Sequence, residues 1–332
     1  MVKKKIKKVV VIGSNSFSAG SLIKILLKNG YTVLGIGRSK INKDHFLAFN
    51  RKSKNFKFKK LDLNKDYKAI NLILKKEKPK YIINYASQSM VGESWINPID
   101  WFFTNSFSLI RLYENISKLS FKCKLIHIST PEIYGNLKKD TMENEIYNPS
   151  TPYAVSRVTA DQYLRILFNQ NKIEFCSVRA SNVYGECQRL YRIIPKTIFS
   201  ILNKTKLNLD GGGKSIRNFI HIDDVSEATY KVMKSGTSGE IYHISGDIMI
   251  SIKGLVKKIC NKMNYNFSDL VNQSSDRKGK DKFYSLSNKK LSKQFNWKPR
   301  ISLDLGLDRC IKWIKNNNYY FDKKDQFYIH KK

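Results

Sequence analysis

The chain has 332 residues, 41% apolar and 12% aromatic, which is enough to bury one large core or two joined lobes and too apolar for a disordered polymer. Its 61 Lys and Arg against 27 Asp and Glu leave a net charge of +34. The basic residues are spread over nearly every segment instead of forming one stripe, which argues against a specific nucleic-acid partner. No run reaches the roughly 18 apolar residues of a membrane span, and the first lysines lead straight into a strand without a secretory signal. The five cysteines are scattered and lack Cys-x-x-Cys spacing, so a reducing cytoplasm and no metal site are expected.

In chain order, Val9–Ile12, Thr32–Ile36, Phe56–Leu61, Tyr81–Asn84, Leu125–Ile128 and Phe175–Arg179 are short, mostly β-branched runs that predict strands buried on both faces. Helical patterns at about 20–30, 66–78, 98–119 and 150–170 alternate with them, the signature of a doubly wound parallel sheet. Farther on come a helix at Ile193–Asn203, the Gly211–Gly213 turn, a strand at Phe219–Ile222 and a helix at Asp223–Met233 with Asp223-Asp224 as its N-cap. A strand at Ile241–Ile244 and helices at Ile252–Met263 and Leu303–Asn316 complete the pattern. The expected class is therefore α/β: a dinucleotide-type domain over 1–185 with elements of about 215–245 returning to it, and a smaller α/β substrate lobe over 186–332.

The loop Gly13-Ser-Asn-Ser16-Phe17-Ser18-Ala-Gly20 follows the first strand and opens the first helix, where unpaired N–H groups and the positive dipole end suit a pyrophosphate. Gly13 stands at the first glycine position, while Ser16 and Ala19 replace the second and third. Asp62-Leu63 after the third strand and Tyr85-Ala86 with Gln88 after the fourth fall where such folds contact adenine and ribose. After the second strand the chain carries Arg38 and Ser39 in place of a carboxylate, which suits a 2′-phosphate and favours NADP over NAD. Tyr153 and Arg157 are one helical turn apart, so the cation can stabilise a phenolate; Ser129-Thr130-Pro131-Glu132 lies just upstream.

Together these segments, with Ser94-Trp95, Arg179 to Gly185, Arg217 to Asp224 and Trp297-Lys-Pro299, resemble in order the extended short-chain dehydrogenase/reductase family, the sugar-nucleotide epimerases and dehydratases. Thr130-Pro-Glu-Ile-Tyr-Gly135 is most similar to the 4,6-dehydratases acting on GDP-mannose or dTDP-glucose. The resemblance implies a Rossmann-type fold and bound NAD(P). It also implies Tyr153 and Thr130 on the sugar O4, Glu132 as the C5 base, and Arg157 where the family has lysine. Further, it places Ser89, Asn182, Tyr191, Arg192, Arg217, Arg277 and Asp281 on a nucleoside-diphosphate sugar. The segments 98–119 and 150–170 match helices that pair subunits, implying a homodimer, with a tetramer open.

Two departures stand out. An arginine cannot release its proton as lysine can, and Pro131 offers no acid to a departing hydroxyl. A 4-epimerase, a UDP-glucuronate decarboxylase, and a non-catalytic nucleotide- or RNA-binding relative remain alternatives. His45, His127, His221, His243 and His330 have no metal spacing, and Ser129 lacks the Gly-x-Ser-x-Gly elbow of a hydrolase.

Overall fold

The computed structural model describes residues 7–136, 140–144, 146–274 and 285–331. Its strands are β1 (Lys8–Ile12), β2 (Thr32–Gly37), β3 (Phe56–Lys60), β4 (Tyr81–Asn84), β5 (Lys124–Ile128), β6 (Asp140–Thr141), β7 (Glu174–Ala180), β8 (Asn182–Tyr184), β9 (Leu207–Asp210), β10 (Ile216–His221), β11 (Ile241–Ile244), β12 (Met249–Ser251), β13 (Val271–Ser274) and β14 (Ser285–Leu286). The helices are α1 (Phe17–Lys28), α2 (Tyr67–Glu77), α3 (Val91–Ile96), α4 (Pro98–Phe102), α5 (Ser108–Ser117), α6 (Pro152–Asn169), α7 (Ile193–Leu202), α8 (Ile222–Ser235), α9 (Ile252–Lys262), α10 (Phe267–Leu270), α11 (Lys289–Phe295) and α12 (Leu303–Asn317).

Seven strands make one sheet in the order β11-β7-β5-β4-β1-β2-β3, every pair parallel. Successive residues of β1 serve opposite faces. Val9 and Val11 pack with Leu22, Ile23 and Leu26 of α1 and Val225, Ala228 and Val232 of α8. Val10 and Ile12 pack with Ile70 and Leu74 of α2, Leu109 and Leu112 of α5, and Leu164 and Leu167 of α6. Covering both faces is what the near-continuous apolar strands demand. The chain runs from β1 outward to β3, then restarts on the other side at β4, which creates a switch point between β1 and β4.

A third core joins α7, α9 and α12 to β9 and β10. Here β8 and β10 pair parallel, β10 and β12 antiparallel, and β9 and β13 parallel. Although α8 and β11 lie late in the chain, they belong to the central sheet and its cover.

Two details differ from expectation. The helix expected over 98–119 is broken: α4 passes through a π-helical turn, Phe103–Phe107, before α5 continues. The N-cap of α8 is His221, whose Nδ1 accepts the Asp223 N–H at 3.2 Å, so Asp223 and Asp224 sit in the first turn where their charge meets the positive helix end. Asp223 receives Arg309 Nη2 at 2.6 Å while Arg309 Nε reaches Glu186 at 2.7 Å, which clamps α12 to the central sheet's cover. Burial raises Glu186, but the hydrogen bonds from His221 and Arg309 bring its carboxyl down to about 2. Asp224 is buried and accepts the N–H groups of Arg300 and Ile301 at 3.1 and 3.0 Å, fixing the approach to α12. Removing those acceptors in Asp224→Ala is expected to cost about 1–3 kcal/mol, read as a lower urea midpoint by circular dichroism; an unchanged midpoint would remove this fastening from the account.

Candidate active site

A cleft of about 710 Å³ opens at the carboxyl ends of β1, β2, β3 and β4, at the switch point. Its floor is the turn after β1. Gly13 has φ +78°, and a Cβ there would stand 2.5 Å from the Ala86 nitrogen, so both the conformation and the close approach require glycine. Ser16 caps α1 by accepting the Ala19 N–H at 3.3 Å. Asn15 ties this turn to the next loop, donating to the Ser39 and Lys40 carbonyls at 3.0 Å each.

Of the expected cofactor residues, Gly13, Ser16, Arg38, Ser39, Asp62, Leu63, Tyr85 and Ala86 line the cleft. Phe17 and Ser18 do not; they form the first turn of α1, and Phe17 packs toward the core. Gln88 is buried beside the cleft, its backbone N–H held by Asn105 Oδ1 at 2.8 Å and its side chain bound to the Lys331 carbonyl at 2.6 Å. Arg38 Nη1 donates to the same carbonyl at 2.9 Å. Asn15, Asn42, Asn64, Thr104 and Arg189 also line the cleft and were not expected there.

Thr130, Glu132 and Tyr153 lie outside this cleft and form a second cluster at the carboxyl end of β5. Thr130 caps a one-turn 3₁₀ helix, Pro131–Tyr134, with Pro131 at the first position where its missing N–H costs nothing. Glu132 thereby projects from a fixed turn. Tyr153 sits in the first turn of α6, where Thr151 caps the helix by accepting the Ala154 N–H at 3.1 Å. Burial raises the Tyr153 phenol above its ordinary value and the Glu132 carboxylate adds to this; Arg157 and the hydrogen bond with Thr130 oppose it.

Arg157 points into the protein. One nitrogen, Nη2, is committed to the Ile128 carbonyl, while Nε and Nη1 are buried with no hydrogen-bond partner among the described residues. Orphaned donors on this side chain fit a cofactor whose ribose carries hydroxyls.

Beneath the cluster runs a buried network that periodicity could not reveal. Asp161, two turns after Tyr153 on α6, receives His127 Nε2 at 2.9 Å, Ser129 Oγ at 2.7 Å and Arg179 Nη2 at 2.8 Å. Burial alone would raise its carboxyl; Arg179 and His127 hold it well below the usual carboxylate range. Burial lowers His127, so the ring is neutral, and the geometry sets its tautomer: Nε2–H donates to Asp161 and Nδ1 accepts the Tyr113 hydroxyl at 2.7 Å. Arg179 also reaches Tyr147 at 2.8 Å and Tyr134, whose hydroxyl meets His243 Nε2 at 2.9 Å.

The expected substrate residues divide. Arg192 Nη2 is 3.4 Å from Ser89 Oγ, and its charge acts on Tyr153. Tyr191 lines the cleft. Asn182 is turned to the Asn218 carbonyl at 3.2 Å, and Arg217 Nη1 to the carbonyl of Ile216 at 2.9 Å. Arg277 and Asp281 lie outside the described residues.

Known proteins resemble this chain over nearly its whole length. A dTDP-D-glucose 4,6-dehydratase of Homo sapiens is 27% identical over 322 residues, covering 94% of this chain and 91% of that one. One of Escherichia coli is 26% identical over 347, covering 95% and 96%. Among solved structures, a dTDP-glucose 4,6-dehydratase of Streptomyces venezuelae with NAD and TYD bound superposes with a TM-score of 0.89 at 24% identity, covering 95% and 99%. A UDP-glucose 4-epimerase of Thermotoga maritima with UDP-glucose gives 0.85 at 24%, covering 94% and 99%. Both structural likenesses show the fold. The family model described as GDP-mannose 4,6 dehydratase matches residues 11–310, nine-tenths of the sequence, and the chain belongs to that family of extended short-chain dehydrogenase/reductases.

Proposed function

We propose that this protein is a nucleotide-sugar 4,6-dehydratase, converting a nucleoside-diphosphate hexose into its 4-keto-6-deoxy form with tightly held NAD(P). The observation that carries the proposal is the pairing of Tyr153 with Thr130 and Glu132 at the end of β5, beside a glycine-turn cleft. Gly13, Asp62, Ala86 and Arg157 would hold the dinucleotide. When bound, it accepts the C4 hydride and returns it at C6.

The residues of the chain divide the proton work. Thr130 and Tyr153 grip the sugar O4, and Tyr153 takes its proton. With C4 oxidised the C5 proton is acidic, and Glu132 removes it. Because Pro131 puts no acid at the neighbouring position, Glu132 also hands that proton to the C6 hydroxyl as water leaves. Tyr153 returns the O4 proton to the medium, and Glu132, reprotonated from the medium, supplies the proton that C5 regains. Ser89, Arg192 and Tyr191 stand on the path between cleft and cluster, where the substrate's diphosphate would lie.

The loop after β2 supplies Arg38 and Ser39 and no carboxylate, which supports NADP as the preferred cofactor. Phe103 and Phe107, tilted against each other with centroids 5.3 Å apart, and Val155 and Ile166, eleven residues apart on one stripe of α6, leave apolar side chains exposed on packed helices. This face supports a homodimer. The absence of any helix among the described residues long and apolar enough to cross a membrane agrees with a cytoplasmic enzyme.

Given GDP-mannose, dTDP-glucose and UDP-glucose, the protein should yield from one of them a product lighter by one water in mass spectrometry. Loss of carbon dioxide from UDP-glucuronate would replace the dehydratase with a decarboxylase, and an isomer of unchanged mass with an epimerase. Tyr153→Phe should lower kcat by roughly 10²–10⁴-fold. Glu132→Gln should still oxidise C4 in a single turnover but release no water. Since the Glu132 charge raises Tyr153, the rising limb of that oxidation should move to lower pH in the variant; an unmoved limb would separate the two groups.

For the cofactor, NADP should bind about tenfold more tightly than NAD, and Arg38→Ala should erase the difference; equal affinities in the unmodified protein would leave NAD as the cofactor. Phe107→Glu with Ile166→Glu should halve the mass seen by light scattering, and a doubly substituted protein of unchanged mass would place the subunit contact elsewhere.

A further inference from the structure

The chain beyond α12 does not leave the molecule. Phe321 packs between Phe46 and Trp313, with ring centroids 5.5 Å from each. A 3₁₀ turn, Lys323–Gln326, is fixed by a reciprocal cap between Asp322 and Asp325, and Gln326 is buried with its side-chain carbonyl on the Ser200 hydroxyl at 2.9 Å. From this anchor on α7 the chain crosses to the central sheet. Tyr328 meets Tyr191 edge-on at 5.4 Å, and its hydroxyl lies 3.4 Å from Gln88 Oε1. His330 stacks on the fully buried Trp101 ring at 5.1 Å, with Nε2 2.7 Å from Asp100 Oδ2. The Lys331 carbonyl then accepts from both Gln88 and Arg38.

Arg38 follows β2 and Gln88 follows β4, the two neighbours of β1, so the carbonyl that joins them lies across the switch point. Phe327, Tyr328, Ile329 and Lys331 line the same cleft whose floor is Gly13, Asp62 and Ala86. The segment therefore roofs the cleft with space beneath it. Phe327 and Ile329 are about two-thirds exposed, so the segment is held by the His330 latch, the Tyr328 ring and the Lys331 carbonyl and not by deep apolar burial.

We propose that residues 327–331 are a strap over the dinucleotide, closed by His330 on Asp100 and Trp101, that slows release of the cofactor. The inference rests on the cleft being the dinucleotide site. It supplies what the proposed reaction requires: a hydride taken from C4 is returned to the same substrate, so a cofactor lost in mid-cycle leaves a keto intermediate stranded.

The test is the rate at which bound NADPH, and NADH in parallel, is displaced by excess oxidised cofactor, followed by nicotinamide fluorescence. It is made on the full chain, on a variant ending at Gln326 and on His330→Ala, with folding checked by circular dichroism. The anchor residues Phe321 and Gln326 remain in the shortened variant, and the point variant removes only the latch. Release is expected on the order of tenfold faster from the shortened variant and several-fold faster from His330→Ala. Unchanged rates in both, with binding intact in the full chain, would overturn the strap and leave the cleft assignment standing. Slower release or tighter binding on shortening would make the segment a competitor of the cofactor and also overturn it. A full chain that binds neither dinucleotide would remove the cleft assignment itself.

Discussion

The buried carboxylate of Asp161 holds together the parts of the site that come from different elements. Tyr153, Arg157 and Asp161 are spaced four residues apart, so all three lie on one face of α6 directed toward the ends of β5 and β7. Asp161 meets Arg179 on β7 and His127 on β5, and it also meets Ser129, the residue immediately before Thr130. One carboxylate thus fixes the helix that carries Tyr153 against the turn that carries Thr130 and Glu132. Such a buried pair gains little net stability over apolar packing, yet removing one partner is severe because the other charge is left in a low-dielectric interior. Its value here is positional: it sets the distance between a phenol and a carboxylate whose charges act on each other.

The same network explains how an arginine can stand at 157. A second cation beside Arg179 would be repelled if His127 were also charged. Burial keeps that ring neutral, and Asp161 offsets the remaining positive charge. The guanidinium then spends one nitrogen on the Ile128 carbonyl and keeps two. A lysine ammonium would present one compact charge at this position; the planar fork anchors itself and still offers donors.

The sheet and its order were legible because strands covered on both faces must be apolar nearly throughout, and those of Val9–Ile12 and Tyr81–Asn84 are. The glycine turn was legible because only Gly13 meets both the positive φ and the 2.5 Å approach to Ala86. What escaped depends on pairings far apart in sequence. Asn105, at the π-helical turn, bonds the Gln88 backbone and Ser156, but an inserted residue in a helix leaves the surrounding periodicity almost unchanged. His127 and His243 were readable as core histidines, not as links in a chain from Tyr113 to Tyr134. His221 took the cap expected of Asp223 because a ring nitrogen can accept as well as a carboxylate. The segment 321–331 mixes aromatics and lysines with no period, so nothing local marks it as the roof of a cleft. The turn after β1 and the Tyr153–Arg157 spacing were visible as local patterns; Arg217 and Asn182, chosen by motif, donate to the carbonyls of Ile216 and Asn218.

In the proposed cycle, the opposition between Glu132 and Arg157 at Tyr153 gives the two proton carriers an order. While Glu132 is ionised its charge adds to burial in raising the phenol and so works against the phenolate that takes the O4 proton, a form that Arg157, the Thr130 hydrogen bond and Arg192 favour. Once Glu132 has accepted the C5 proton that charge is gone, leaving burial to raise Tyr153 and Arg157, the Thr130 hydrogen bond and Arg192 to lower it. The phenol is then readier to give its proton up, which is what the return to the starting state requires. Neither group needs a conformational change for this exchange, only a fixed separation. That separation is set from below by Asp161, which grips Ser129 on one side and the helix of Tyr153 on the other.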